Sequence, residues 1–169
     1  MDKYNRLHKG HSLIKNLNDY TVLDIETTSL DSFIGEIVEI SAIKVRDKKE
    51  IATFSELIKT ENRLGAFTTR LTGITNEMVQ NEGKDLIYVL QQFKEFLDRD
   101  IIVGHNVNFD INFIYDSMYK NMNEYLTNDF VDTLRISRKV LPNLRHHKLD
   151  NLIDSVSYTH LTLPTNSLV

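Results

Sequence analysis

The sequence predicts an α/β domain, a mixed five-stranded sheet flanked by helices. Three observations carry that prediction. Residues 37–45 alternate with period two, as a half-buried strand does. Runs of β-prone residues on either side are joined by short loops, which implies an antiparallel meander. Beyond them, apolar residues recur at helical spacing and alternate with short apolar strands, the order of an α/β layer. The 169 residues fit one such domain, and 41% hydrophobic residues with 26% charged exclude wholesale disorder.

The elements follow in order. Residues 1–19 are polar and irregular and are read as an N-terminal extension. "YTVLDIET" from Tyr20 is a short apolar strand carrying Val22, Leu23 and Ile25, and "TSLDSFIGE" is loop chemistry. Ile37 to Asp47 is the second strand, "KKE" a turn, and Ile51 to Lys59 the third strand. "LGAFTTRLTGIT" holds a short helix ending near Gly73. Leu86, Val89, Leu90, Phe93 and Leu97 mark a helix between Asp85 and Asp98. Ile101–Val103 is a buried strand ending at Gly104, placed beside the first strand. Asn106 to Asn121 is an amphipathic helix, with Asn106 as its N-cap. "FVDTL" is the fifth strand, "RISRKVL" a helix stopping before Pro142, and "KLDNLIDS" opens another.

Composition removes several chemistries. Without cysteine there are no disulfides, thiolate zinc sites or cysteine nucleophiles. No apolar run is long enough for a membrane span, and the first residues do not read as a signal peptide, so the expectation is a cytoplasmic protein with no membrane partner. The net charge of −4 provides no global basic field for nucleic acid. An enzyme that grips its substrate through metal ions needs none.

Asp24 and Glu26 stand two apart in an apolar strand, so both leave the same face. Adjacent carboxylates repel, and each raises the other's pKa unless a cation shares them. They read either as a solvated strand edge or as a divalent-metal site. Oxygen-only ligands favour Mg²⁺ or Mn²⁺ over zinc. Asp110 follows a buried strand inside the first turns of a helix. There it complements the helix dipole, or it brings a third carboxylate over the first two. Three such acids could hold two metal ions that clamp a phosphodiester and activate a water. The three are expected to converge on one cleft with raised pKa values. Asp132 is read as a cap for the helix after it, and His105 as structural.

"DIETTSL" at 24–30, "LTGIT" at 71–75 and "GHNVNFD" at 104–110, in this order and spacing, resemble the DEDDh 3′–5′ exonuclease superfamily over about residues 20–155. This is the ribonuclease H-like fold of the proofreading epsilon subunit of DNA polymerase III and of PolC exonuclease domains. The resemblance implies that Asp24, Glu26 and Asp110 are catalytic metal ligands for two divalent ions, Mg²⁺ or Mn²⁺, with Glu26 also placing the attacking water. It implies that the main chain at Thr27 and Thr28 and the side chain of Leu30 hold the 3′-terminal nucleotide, with Thr72 a further contact. Ser29 stands where glycine is usual. The implied partners are a single-stranded DNA 3′ end, with RNA as the alternative, and a DNA polymerase or helicase, as a separate subunit or a fused chain.

The pattern departs at its end. The family has a further histidine and aspartate, H-x-x-x-x-D, on a C-terminal helix. Five residues on from His146 stands Asn151, from His147 Leu152, and from His160 Thr165. Residues 156–169 also carry no Asp, Glu, Lys or Arg, and 156–165 match in ten consecutive positions the one-frame translation of a transposase adapter used in short-read sequencing libraries. The expectation is therefore a C-terminally truncated exonuclease domain at 20–155 followed by non-native residues, nearly inactive as written. The alternatives are an RNA-trimming exonuclease of the same fold and a catalytically dead nucleic-acid-binding module.

Overall fold

The computed structural model describes residues 5–153. Its sheet has strands β1 (Ser12–Leu13), β2 (Tyr20–Thr27), β3 (Ile37–Arg46), β4 (Lys49–Leu57), β5 (Ile102–Gly104) and β6 (Phe130–Asp132), in the order β1-β6-β5-β2-β3-β4. The helices are α1 (Ala66–Thr72), α2 (Asn76–Glu82), α3 (Leu86–Leu97), α4 (Asn108–Met122) and α5 (Thr133–Val140). Residues 149–153 are also helical. β3 is antiparallel to both β2 and β4, while β5, β6 and β1 run parallel to β2. Among the described residues no helix is long and apolar enough to cross a membrane. The expectation about residues 156–169 lies outside the described residues.

The mixed sheet has six strands rather than the expected five. The added strand, β1, lies in the segment read as an irregular extension. Two residues carry no readable period, and their position is decided at long range. Gly10 lies so close to Asn128 that a Cβ there would stand 2.0 Å from its carbonyl oxygen, and Phe130 N–H donates to His11 O at 2.9 Å. The hairpin between β3 and β4 turns at Asp47 and Lys48, whose φ angles of 49° and 63° are those of a two-residue primed turn. β4 therefore begins at Lys49, two residues before the expected Ile51.

Period two builds the core. Leu23 and Ile25 of β2 face the same side as Ile40 and Ala42 of β3, and all four pack beneath Phe93 and Leu97 of α3 and Ile111, Ile114 and Met118 of α4. Glu26 pairs with Glu39 and Thr27 with Ile37, so Val38 is the extra residue of a β-bulge. The bulge leaves Ile37 in the main core and sends Val38 into a second cluster with Leu64, Ile74 and Val79. That cluster seats α2, and the residues on either side of α1, against the end of β3. Elsewhere the second face of the meander is open, with Ile43, Ile51, Thr53 and Ser55 exposed.

The amino end of β5 is closed by Asp100. It accepts from Thr21 Oγ1 at 2.6 Å and from the Arg46 guanidinium at 2.6 and 2.8 Å, with Lys44 Nζ at 3.6 Å. Burial opposes its ionisation, but these hydrogen bonds and cations outweigh burial and hold the carboxyl below the usual range. At the other end β5 stops at Gly104, where a Cβ would stand 2.7 Å from both Leu23 O and Val107 Cγ2. Gly104→Ala is expected to destabilise the domain by about 1–3 kcal/mol through that overpacking. Urea unfolding checks this, and an unchanged midpoint would show that the strand-to-helix step has room to spare.

Candidate active site

β2 runs on for several residues after β5 has ended, and this mismatch builds the site. The N–H of Thr21 donates to Ile101 O at 3.0 Å, and β2 pairs with β5 through Val22 and Val103. The N–H of Ile25 lies beyond the end of β5. Asp110 takes it, accepting through Oδ1 at 3.2 Å from the first turn of α4. This hydrogen bond fixes the Asp110 carboxyl at the β2 edge, between the two residues whose side chains leave the open face, Asp24 and Glu26.

Asp110 is buried, at 5% exposure, whereas Asp24 is open and Glu26 half-buried. The three are electrostatic neighbours. Burial and then the Asp24 charge push the Asp110 carboxyl up to about 7, against the opposing backbone hydrogen bonds, with Glu26 adding a smaller push. Asp24 is raised first by the protein packed around it and then by Glu39. Glu26 is raised by burial, by Asp24 and by Glu39. Glu39 is thus a fourth carboxylate at the site, paired across the ladder with Glu26 and accepting from Ser55 Oγ at 3.1 Å. Sequence reasoning missed it. Its alternation put it on a face with Ser41, but only the register places it opposite Glu26.

No lysine or arginine among the described residues forms an ion pair with Asp24, Glu26 or Asp110. Among the described residues no group of three or more His, Cys, Asp or Glu is gathered closely enough to hold a metal ion. By donor chemistry the set nevertheless fits a hard divalent cation. It is all oxygen, mutually repelling and partly stripped of water.

The other expected residues are placed as follows. Thr27 Oγ1 donates to Ser29 O at 2.7 Å, Thr28 N–H donates to Glu36 O, and Thr28 Oγ1 accepts from Glu36 N–H, so both threonines shape the loop that follows β2. Leu30 projects from that loop, 87% exposed. Ser32 Oγ donates to Asp116 of α4 at 2.7 Å, and Arg6 donates to Asp116 through Nε and Nη2 and to Ser32. The N-terminal segment thereby ties the Leu30 loop to the helix that carries Asp110. Thr72 ends α1 with its hydroxyl already engaged, donating to Thr68 O and accepting from Ile74 N–H. Neighbouring Phe67 and Leu71 are largely exposed on α1.

Asn106 is not the N-cap of α4. Val107 holds that position without a side-chain cap, and Asn106 adopts the left-handed φ of 61° that asparagine tolerates. The reason lies with Asp132, whose Oδ1 accepts from both Asn106 N–H and Leu134 N–H at 2.9 Å. Asp132 thus caps α5 as expected and also pins the loop before α4. His105 Nδ1 lies 3.1 Å from Thr133 Oγ1, a structural contact.

A family model described as exonuclease matches residues 21–162. The PolC-type DNA polymerase III of Latilactobacillus sakei is 40% identical over 155 residues, covering 88% of this chain and 11% of the relative. The PolC-type enzyme of Caldanaerobacter subterraneus is 38% identical over 145 residues, 86% of this chain and 10% of its own length. The chain thus spans about a tenth of the length of these curated relatives. A structure of exonuclease X in complex with 5′ overhanging duplex DNA superimposes with a TM-score of 0.63 at 19% identity, over 82% of this chain and 73% of that one. A structure of exonuclease I gives 0.68 at 18% identity, over 82% of this chain and 35% of that one. These two share the fold.

The raised Asp110 carboxyl has a consequence for stability. A carboxyl whose native pKa exceeds its unfolded value stabilises fully below the unfolded pKa, and that contribution is lost as pH rises through the native one. For Asp110 the loss runs from about 4 to about 7. In the absence of divalent metal, Asp110→Asn is expected to match wild type near pH 4 and to exceed it by about 2–4 kcal/mol at pH 8. Denaturation across that range checks this. A constant difference at all pH values would show that the carboxyl titrates normally.

Proposed function

The chain belongs to the exonuclease family, and from that premise we propose that it is a 3′–5′ exonuclease domain acting on single-stranded DNA ends by metal-assisted phosphodiester hydrolysis, of a proofreading or repair type. What supports the proposal is the Asp110 carboxyl held on Ile25 N–H, between Asp24 and Glu26 in sequence along β2, where β2 outruns β5, with all three carboxyls pushed above their usual range. A fold gains nothing from three acids that repel one another, and a cation would relieve them.

Asp24, Glu26 and Asp110 would hold the divalent ions, two Mg²⁺ or Mn²⁺. When bound, such ions polarise a phosphodiester and lower the pKa of a water. The chain's own residues do the placing. Ile25 N–H orients the Asp110 carboxyl. Glu39 on the neighbouring strand adds its charge to those of Glu26 and Asp24 and raises both carboxyls further. The loop that Thr27 and Thr28 shape would present Leu30 as an apolar surface for the terminal nucleotide, and Thr72, which ends α1, would add a further contact. Discrimination of DNA from RNA rests on contacts to the 2′-position.

We propose further that the 169 residues as written hydrolyse slowly, because the terminal H-x-x-x-x-D string of the superfamily is lacking. Removing one group from a catalytic unit costs orders of magnitude in rate. The same departure favours a second reading, a nucleic-acid-binding module that binds metal without hydrolysis.

Metal binding and hydrolysis therefore need separate measurements. At about ten times its Kd, Mn²⁺ or Mg²⁺ is expected to raise the melting temperature by about 4 °C, and Asp24→Ala or Asp110→Ala to abolish the rise. A wild-type protein with no metal-dependent shift would sink the proposal. With a 5′-labelled single strand, slow shortening from the 3′ end that needs the metal supports the exonuclease, and binding with no shortening at all supports the module.

A further inference from the structure

The four parallel strands β1, β6, β5 and β2 end on one rim, because each runs in the same direction. Asp24 and Glu26 lie at the carboxyl end of β2, and Asp110 lies just beyond β5. Farther along the same rim, at the carboxyl ends of β6 and β1, a groove of about 630 Å³ opens between β1 and α5. Asn106 and Asn108, from the loop and first turn that lead to Asp110, form its near wall, and Arg135, Arg138 and Lys139 of α5 line it beyond them. The groove is thus continuous with the segment that positions the buried carboxylate.

Its charge runs against that of the chain. Residues 135, 138 and 139 share one face of α5 at i, i+3 and i+4, and all three side chains are exposed. Arg135 is oriented across the groove by hydrogen bonds to Ser12 O at 3.0 Å and Ser12 Oγ at 2.7 Å. Neither Arg138 nor Lys139 has an ion-pair partner among the described residues. The acid in the lining, Asp132, is buried and its Oδ1 is spent on the N–H groups of Asn106 and Leu134. Among the described residues, three cations therefore line the groove against a single carboxylate, in a protein whose net charge is −4.

We propose that this groove binds the backbone phosphates of the single strand whose 3′ end lies at the carboxylates. The inference rests on the exonuclease reading and adds the path of the strand. The carboxylates repel phosphate unless cations cover them, so affinity for the strand beyond its last nucleotide has to come from another part of the rim. Guanidinium and ammonium groups in a shallow open groove grip a backbone without reading bases, as strand-tracking sites do.

The test compares wild type with the double variant Arg138→Gln, Lys139→Gln. Both residues are exposed, and melting temperature confirms that the variant folds. Binding of a labelled oligothymidylate of roughly 12 nucleotides is followed by fluorescence anisotropy over a range of salt. Ca²⁺ is present as an oxygen-ligated cation. Thymidine 5′-monophosphate serves as a competitor that reports the terminal-nucleotide site alone. In the double variant the oligonucleotide is expected to bind roughly ten-fold more weakly at low salt, and the salt slope to fall by about 1.4. Competition by the mononucleotide should stay at its wild-type value. An unchanged affinity and slope would overturn the groove and leave the exonuclease reading standing, and that is the result if the groove takes an acidic protein surface instead. A wild-type protein that binds neither oligonucleotide nor mononucleotide would overturn both.

Discussion

The hydrogen bond from Ile25 N–H to Asp110 is the constraint on which the site depends. A parallel ladder that ends early leaves an edge donor without a partner, and an unpaired backbone donor away from water costs free energy. Here the next element supplies the acceptor. β5 stops at Gly104, the chain turns through His105 and Asn106, and the first turn of α4 delivers a carboxylate where a strand carbonyl would have stood. The fold satisfies its own backbone with a charged group and so brings that charge beside two others. Gly104 makes the short step feasible, since any side chain would strike Leu23 O and Val107. Asp132 fixes its geometry by holding Asn106 in a left-handed turn.

Two aspartates at opposite ends of this sheet, Asp110 buried and Asp100 half-buried, show what separates structure from chemistry. Asp100 is surrounded by Thr21, Arg46 and Lys44, and its carboxyl is held below the usual range. Asp110 has two backbone donors and two neighbouring acids, and its carboxyl is pushed up to about 7. Burial opposes ionisation in both and is deeper at Asp110, and the sign of the nearby charge sets the direction of each shift. Asp100 ties β2, β3 and β5 together and is complete as it stands. At the Asp110 end ionisation costs stability as pH rises toward neutral, a cost that a cation bound there would offset, the trade expected where a fold carries function.

Much of this was legible in residues because the signals were local. Alternation at 37–45 specified β3, the spacing of Leu86, Val89, Leu90, Phe93 and Leu97 specified α3, and the Asp24–Glu26 spacing specified a shared face. What was not legible was set at long range. Glu39 joins the site through strand register, which a period-two pattern leaves open by whole pairs of residues. β1 exists because Gly10 admits the N-terminal segment against Asn128. α2 was missed because "NEMVQNE" offers only Met78 and Val79 as apolar residues. Its signal was the cap, Thr75 Oγ1 accepting from Met78 N–H at 3.1 Å. Asn106 looked like a cap because the pattern reads only along the chain, and Asp132, which claims its N–H, comes from another strand.

The charge distribution follows the same division of labour. An overall charge of −4 argues against a protein that holds polyanions by its general field. That argument concerns distances beyond the Debye length, about 8–10 Å at ordinary ionic strength. Within that range only the arrangement on the rim matters. There acids cluster at the end of β2, while among the described residues basic side chains cluster on α5 beside a single acid, Asp132, whose Oδ1 accepts backbone N–H groups. Exchanging the two clusters would leave the net charge untouched and reverse what each end of the rim attracts. Order along the rim therefore matters more to this domain than the sum. On the proposed path a single strand would meet the basic groups first and the carboxylates last.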